Sequence, residues 1–275
     1  IWSLQFSEDE SLRENGNQTH LYFVPKYDAN IPGMTRTVEY GRPYARFKPT
    51  QFMSDLYDSS IDSRYQAYWR DTWYATTATD KLSVGDTAFY LPKDAWSKVQ
   101  IDSKNYKVFN PEFSESLGSD YSTVSNRVFL HLKKFDDVKR ATMNEEKGTR
   151  DWVCFRAAEA YLLAGEAYYR AGDVDNALKY INTLRRNCAI EGKEKETEIS
   201  ASDLSVDFIL DERARELCGE GKRWYDLKRL GKLIERTDLH NKKAHGNMKP
   251  FHELRPIPQS QIDRCTNVYP QNPQW

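Results

Sequence analysis

From residue 151 onward, the apolar residues of the chain recur at the spacing of an α-helix. Over 155–170 they lie three or four positions apart, and Gly172 then ends the segment, because glycine readily adopts the left-handed conformation that follows a helix. The same spacing predicts three further helices, over 174–186, about 203–218 and 224–234. The pattern therefore predicts a mainly helical region over 151–275.

Residues 1–150 carry few helical patterns and are predicted to be rich in loops. Apolar and polar residues alternate over 1–6 and 64–74, with aromatic rings on one face of the second segment, which predicts two strands. Shorter strands are predicted over 87–91 and 128–132, and a short helix near 50–57. Much of 75–150 forms a long irregular connection, which is typical of a binding loop or an insertion.

The composition excludes several classes of protein. Lys and Arg number 40 against 41 Asp and Glu, so the formal net charge is −1, whereas proteins that bind nucleic acids or anionic membranes carry a basic excess. Mean hydropathy is −0.80, and no apolar run approaches the ~18 residues of a transmembrane helix. Aromatic residues make up 13% of the chain, so it is very polar yet rich in large rings.

The sequence contains no recognised catalytic, cofactor or metal motif. HExxH, GxSxG, P-loop and GxGxxG patterns are absent, and the His residues are scattered singly. The cysteines form no CxxC pair, which argues against a metal site. They are Cys154, Cys188, Cys218 and Cys265. Their spacing leaves open whether two of them form a disulfide or all remain thiols.

Two pairs of helical carboxylates are the feature that most suggests bond cleavage. Glu159 and Glu166 are expected about 10.5 Å apart along one helix face. Glu212 and Glu216 are expected about 6 Å apart, and a glycosidase holds its two acids about 5–9.5 Å apart. Arg156 lies three residues before Glu159, and Arg213 lies between Glu212 and Glu216, so helical ion pairs explain these acids more simply. We therefore predict that the protein is not an enzyme.

The first two predicted helices have small residues where two helices must touch. Gly165 and Ala177 fall on the small positions of a tetratricopeptide repeat, and an ordinary helical hairpin explains the same pattern. An isolated repeat leaves one face uncovered. The pattern thus predicts a hairpin that packs against further helices.

Three motifs in the helical part resemble those of the SusD/RagB-like family. They are Arg156–Leu162 with Gly172, Ala177 and Ile181-Asn182; Ile209–Leu217 followed by Glu220–Arg229; and Leu254–Pro258 with Gln271-Asn272-Pro273. Earlier in the chain, Lys133-Lys134-Phe135 and Asp62-xx-Arg64 fit weaker signals of the family. The resemblance is dense over 151–275 and thin over the rest.

The resemblance implies a mainly α fold with a tetratricopeptide-like hairpin, long loops and a few short strands. It also implies a non-catalytic role: binding an oligosaccharide at the bacterial outer membrane and delivering it to a SusC-like TonB-dependent porin. No cofactor or nucleic acid is implied. We expect 1–275 to be the C-terminal module of such a protein, without the N-terminal half that carries the lipid anchor.

The loop over 15–47 holds the residue types that bind sugars. Flat rings stack on the C–H faces of pyranoses, while amide and guanidinium groups bind the hydroxyls. Glycine and proline in the segment favour a loop. The predicted glycan-binding residues are Asn17, Tyr22, Tyr40, Arg42 and Tyr44. A second candidate patch contains Tyr90 and Trp96, and for any single ring the alternative is a structural role in the core.

Two other functions remain open at this stage. A protein-interaction scaffold would use the hairpin and exposed rings to dock a porin, and would bind proteins tightly without responding to glycans. A glycoside hydrolase would release reducing ends and lose that activity after Glu→Gln changes.

Overall fold

The computed structural model describes residues 1–9, 11, 16–111 and 127–275. Within them, short helices and strands precede a run of longer helices. The strands are β1 Trp2–Leu4, β2 Trp69–Arg70, β3 Thr72–Tyr74, β4 Thr87–Tyr90, β5 Lys107–Val108, β6 His131–Leu132 and β7 Trp152–Phe155. The helices are α1 Thr19–Tyr22, α2 Gln51–Asp55, α3 Arg64–Tyr68, α4 Lys98–Asp102, α5 Ala157–Arg170, α6 Val174–Asn187, α7 Val206–Leu217, α8 Arg223–Arg229, α9 Leu233–His240 and α10 Gln259–Ile262. The mainly helical fold class is confirmed.

The strands form small sheets. β1 pairs with β7, β2 pairs with β6, and β3, β4 and β5 form a three-stranded sheet. The β1–β7 pair is antiparallel and sets Leu4 opposite Trp152. It thus joins the start of the chain to the segment that leads into α5.

The prediction of one strand over 64–74 was wrong, because its first half is the helix α3. Asp62 accounts for the difference: its carboxylate accepts a hydrogen bond from the backbone N–H of Arg64 at 2.9 Å and also binds the Arg64 guanidinium. Such a side chain-to-backbone bond favours a turn over an extended chain. The rings of Tyr65, Trp69 and Trp73 are buried nevertheless.

An aromatic core surrounds Trp73. Its ring centroid lies 4.8 Å from that of Tyr27, 4.9 Å from that of Tyr40 and 5.3 Å from that of Phe89. The buried Tyr27 hydroxyl donates to the carbonyl of Gly41 at 2.7 Å, so burying this polar group leaves it satisfied. The aromatic residues in which this chain is rich therefore supply much of the core of this region.

Helices α5 and α6 form the predicted hairpin. A Cβ atom at Gly165 would lie 2.7 Å from Ile181 Cγ1, closer than side-chain contacts allow. The facing Ala177 is fully buried. Small residues at this crossing let the two helices approach closely.

Ala177→Leu is expected to lower the melting temperature by about 5 °C, because overpacking a tight crossing costs about 1–3 kcal/mol. Ala160→Leu is the matched control, since Ala160 is exposed on α5, and should melt like the parent in circular dichroism. Equal melting of the two variants would show that the crossing is not tightly packed.

The chain forms two compact units, Ile1–Gly221 and Lys222–Trp275. The change from loop-rich to helical sequence at 150/151 falls inside the first unit. In the second unit, the single helix predicted over 224–234 is two helices, α8 and α9, separated at Gly231, whose φ is +67°. Glycine adopts this left-handed conformation without a steric penalty, so it ends α8.

A buried network of charges connects α3 to α7. Arg64 is 3% exposed, and its guanidinium binds Glu212 at 2.8 Å and Glu216 at 3.0 Å. Arg185 and Arg215 also pair with Glu212. These pairs mostly link different elements, whereas the sequence suggested ion pairs along single helices.

The described cysteines are free thiols, so the disulfide alternative is excluded for this structure. Burial raises the pKa of Cys188 to about 12, which keeps that thiol protonated. In the part of the chain that the structure describes, no helix is long and apolar enough to cross a membrane.

Candidate functional site

An open cleft of about 480 Å3 lies in the first unit, beside β1. Its lining residues are Leu4, Phe6, Gly16, Asn17, Gln18, Thr19, Tyr22 and Trp152. Three of them carry aromatic rings, and two carry amide groups. The volume is in the range of small-ligand sites, which combine apolar walls with a few polar groups. We call this site the ring cleft.

Strand pairing positions one side of the ring cleft. β1 and β7 place Leu4 opposite Trp152, and Leu4 is 55% exposed. The carboxylate of Asp151 accepts hydrogen bonds from the backbone N–H of Phe6 at 3.2 Å and from the hydroxyl of Ser3 at 3.4 Å. The short β1 strand and the residues after it are thereby held next to Trp152.

Asn17 holds the side of the ring cleft that lies opposite β1 and β7. Its backbone exchanges hydrogen bonds with Gly148 at 2.9 and 3.1 Å, and its side-chain amide donates to the carbonyl of Arg150 at 2.8 Å. The amide oxygen accepts from the backbone N–H of Thr19 at 3.0 Å, at the start of α1. A Cβ at Gly148 would lie 2.4 Å from the Asn17 carbonyl, so only glycine permits this close pairing.

A series of ring contacts supports the cleft walls. Tyr22 packs edge-on against Phe47, with ring centroids 6.0 Å apart, and Phe47 contacts Phe23. Phe23 stacks on Phe135, which in turn stacks on Trp152 at 6.0 Å. Tyr22 and Trp152 are thus the half-buried ends of one aromatic series, and this packing restricts their rotation.

Of the five predicted site residues, the structure brings Asn17 and Tyr22 together in the ring cleft. Tyr40 does not belong there, because only 4% of it is exposed and its ring packs against Tyr27 and Trp73. Burial also raises the pKa of its hydroxyl. This ring is part of the core, so its prediction as a surface ligand residue is corrected.

Arg42 and Tyr44 lie together outside the lining of the ring cleft. The guanidinium of Arg42 sits 5.3 Å from the Tyr44 ring centroid and forms an ion pair with Glu146. The Tyr44 hydroxyl, followed by Arg42, holds the pKa of Glu146 below its usual value. Partial desolvation and the same hydrogen bond raise the pKa of Tyr44. The arrangement keeps Glu146 ionised and fixes this loop.

Sequence reasoning missed two of the rings that line the cleft, Phe6 and Trp152. The alternation over 1–6 indicated a strand, but nothing in it revealed the partner strand. A short apolar run begins at Trp152, where the helical pattern was taken to start. This run is the sequence signal for β7, and reading it as a strand would have suggested that Trp152 pairs with β1.

The second candidate patch forms a smaller contact. The centroids of Tyr90 and Trp96 lie 5.3 Å apart, and the Lys104 ammonium lies 5.5 Å from the Trp96 ring. Its rings are partly covered by each other and by this cation. This patch remains a second candidate binding site, in addition to the ring cleft.

The helical carboxylates are held in ion pairs. Burial alone would raise the pKa of Glu212, but Arg215, with Arg64 and Arg185, holds it far below its usual value. Arg64 and Arg156 likewise lower the pKa of the largely buried Glu216, against the effect of burial. A general acid must carry a proton near neutral pH, so neither glutamate suits that role.

Comparison with known proteins identifies the family. A family model described as the SusD family matches residues 1–275, the whole chain. This chain belongs to the SusD family. The resemblance carried by the motifs of the helical part is therefore confirmed.

Curated relatives of this SusD-family chain are longer proteins. SusD-like protein P38 of Formosa agariphila is 35% identical over 255 residues, covering 86% of this chain and 48% of that protein. The starch-binding protein SusD of Bacteroides thetaiotaomicron is 31% identical over 122 residues, covering 43% of this chain and 20% of that protein. The chain spans less than half the length of these two relatives.

Solved structures agree with the fold. A laminarin-binding SusD-like protein gives a TM-score of 0.55 at 21% identity, over 94% of this chain and 44% of that one. A SusD-like protein from Bacteroides fragilis gives a TM-score of 0.56 at 15% identity, over 100% of this chain and 54% of that one. The mainly helical architecture is thus that of SusD-like proteins.

Proposed function

We propose that this chain binds an oligosaccharide non-covalently in the ring cleft and performs no bond chemistry on it. The observation that carries the proposal is the cleft itself, where the rings of Phe6, Tyr22 and Trp152 flank the amides of Asn17 and Gln18. Stacking on the rings gives affinity, and the amides orient the sugar through its hydroxyls.

The cleft residues divide these tasks. Most hydrogen-bonding groups of Asn17 already bind Gly148, Thr19 and Arg150. Asn17 therefore mainly holds the shape of the cleft. The Gln18 amide oxygen accepts a hydrogen bond from the Tyr22 hydroxyl at 3.3 Å, and its amide nitrogen is the group that we assign to a sugar hydroxyl. Tyr22 and Trp152 provide the stacking surfaces.

The relatives support a glycan as the ligand, since one is named a starch-binding protein and another a laminarin-binding protein. Membership of the SusD family supports the wider proposal: the protein acts at the bacterial outer membrane surface and delivers its ligand to a SusC-like TonB-dependent transporter. In this proposal the lipid anchor belongs to the whole protein, the transporter is its partner, and this chain supplies the ring cleft.

Affinity electrophoresis of the purified chain tests the proposal. The chain is expected to migrate more slowly in native gels that contain a suitable polysaccharide, with laminarin and starch tested first in a broad panel. No new reducing ends should appear during incubation with the retaining glycan. Unchanged mobility across the whole panel would contradict glycan binding, and steady release of reducing sugar would favour a hydrolase instead.

A further inference from the structure

A second cleft, of about 550 Å3, also lies in the first unit and differs in chemistry from the ring cleft. Its lining residues are Lys26, Asp28, Ala29, Arg36, Ala45 and Arg127. They comprise three basic side chains and one carboxylate, and no aromatic ring. A local excess of positive charge stands out in a chain whose net charge is −1. We call this site the basic cleft.

Arg36 is held in a fixed position in the basic cleft. Its Nε and Nη2 atoms donate to one oxygen of Asp28, at 3.1 and 2.7 Å, and its Nη1 donates to the side chain of Asn144 at 2.8 Å. Asp28, the one carboxylate among the lining residues, is therefore paired with Arg36. Lys26, in contrast, is not paired with this carboxylate.

Lys26 supplies the positive charge that is best defined. Its ammonium donates to the carbonyl of Pro43 at 2.7 Å, which anchors it without neutralising it. Within the described part of the chain it forms no ion pair with a carboxylate. Its backbone N–H binds the carbonyl of Arg127 at 2.6 Å, so the main chain brings these two basic residues side by side.

The basic cleft and the ring cleft share a stretch of backbone. The N–H groups of Arg46 and Phe47 bind the carbonyl of Tyr22, at 2.9 and 3.0 Å, and the N–H of Ala45 binds the carbonyl of Val24. Tyr22 lines the ring cleft and Lys26 lines the basic cleft. The two residues are four positions apart in the chain, so their Cα atoms are at most about 14 Å apart. A span of this size is within the length of a short oligosaccharide.

We propose that the basic cleft binds the anionic group of a charged sugar unit, a carboxylate or a sulfate ester, in an oligosaccharide of which another unit occupies the ring cleft. This inference rests on the proposed function and names its ligand class. Hydrogen bonds from ammonium and guanidinium groups to an anion are about twice as strong as neutral ones. A neutral glucan leaves the basic cleft unused.

The test compares Lys26→Gln with Lys98→Gln. Glutamine at 26 keeps a donor for Pro43 and removes the charge. Lys98 lies on α4 outside both clefts, with 85% of its side chain exposed, so its variant carries the same change in net charge. Affinity electrophoresis uses alginate as the carboxylate polymer, carrageenan as the sulfate polymer and laminarin as the neutral one, over a series of NaCl concentrations.

The parent is expected to be retained by alginate, carrageenan or both, and the polymer that retains it identifies the anion. Lys26→Gln should weaken that retention about tenfold, as the loss of a charge-assisted hydrogen bond predicts. Lys98→Gln should leave it unchanged, and added salt should weaken retention by the anionic polymers alone. Melting curves of both variants should match the parent.

The contrary results separate the two proposals. Retention by laminarin or starch without retention by either anionic polymer would overturn the basic cleft and leave the ring cleft in place. Equal losses in Lys26→Gln and Lys98→Gln would overturn it as well, because net charge alone would explain the binding. If Lys26→Gln lost retention by the anionic polymers while the aromatic rings contributed nothing to binding, the result would support the basic cleft and count against the ring cleft.

Discussion

Arg64→Met is expected to lower the free energy of unfolding by about 3–5 kcal/mol, which corresponds to a fall of about 10 °C in melting temperature. The Arg64 guanidinium is buried between the carboxylates of Asp62, Glu212 and Glu216. Methionine fills similar space but leaves Asp62 without its guanidinium partner. An uncompensated buried charge is among the costliest single changes a protein can suffer.

The matched control is Arg186→Met in the last turn of α6. The Arg186 side chain is 42% exposed and pairs at 2.6 Å with Glu198, which is 38% exposed, so this ion pair is a surface pair of small value. Urea or thermal unfolding should barely distinguish this variant from the parent. If Arg64→Met lost as little stability as the control variant, the charge network would not be what holds α3 to α7.

The same network sets the acid limit of stability. The pKa values of Glu212, Glu216 and Glu220 lie below their usual range in the folded chain, because arginine and lysine partners outweigh the effect of burial. A lowered carboxyl pKa adds stability above the unfolded value of about 4.3, and this stability disappears as the pH falls further. The melting temperature should therefore drop below about pH 4, and more steeply in the parent than in Arg64→Met.

Trp152→Ala is expected to weaken glycan retention by tenfold or more, about 1.4 kcal/mol or above. Trp152 forms one wall of the ring cleft and is backed by Phe135, so its ring offers a rigid face to a sugar. Removing a rigid aromatic wall removes stacking area that no neighbour replaces. Calorimetric titration with the retaining glycan, alongside a melting curve, measures the loss.

Trp96→Ala is the matched control for Trp152→Ala. Trp96 is also a half-buried tryptophan, in contact with Tyr90 and outside the ring cleft. Its variant should bind the glycan as the parent does. If Trp96→Ala lost binding while Trp152→Ala kept it, the glycan would lie at the second patch and the ring cleft would be excluded.

The longer helices could be predicted from the sequence because their pattern is local. The spacing over 174–186 gave α6 almost to its ends, and Gly172 correctly marked the end of α5. Propensity and periodicity act within one or two turns, so no distant contact was needed. The motifs in the same region also identified the family.

The candidate site could be predicted only in part, because exposure depends on distant contacts. Tyr22 and Tyr40 are the same residue type in one loop, yet Tyr40 packs on Trp73 while Tyr22 faces a cleft completed by Trp152. Those tryptophans lie far along the chain. Likewise, the turn at α3 follows from the hydrogen bond between the Asp62 carboxylate and the Arg64 backbone, and Asp62 lies outside the alternating pattern over 64–74.

A glycan array probed in parallel with the parent chain and with Trp152→Ala tests the central claim most directly. The parent is expected to bind at least one class of glycan, the folded variant is expected to lose this binding, and the bound glycan is expected to stay intact. Binding of no glycan by the parent, or an identical profile for both proteins, would contradict a carbohydrate site in the ring cleft.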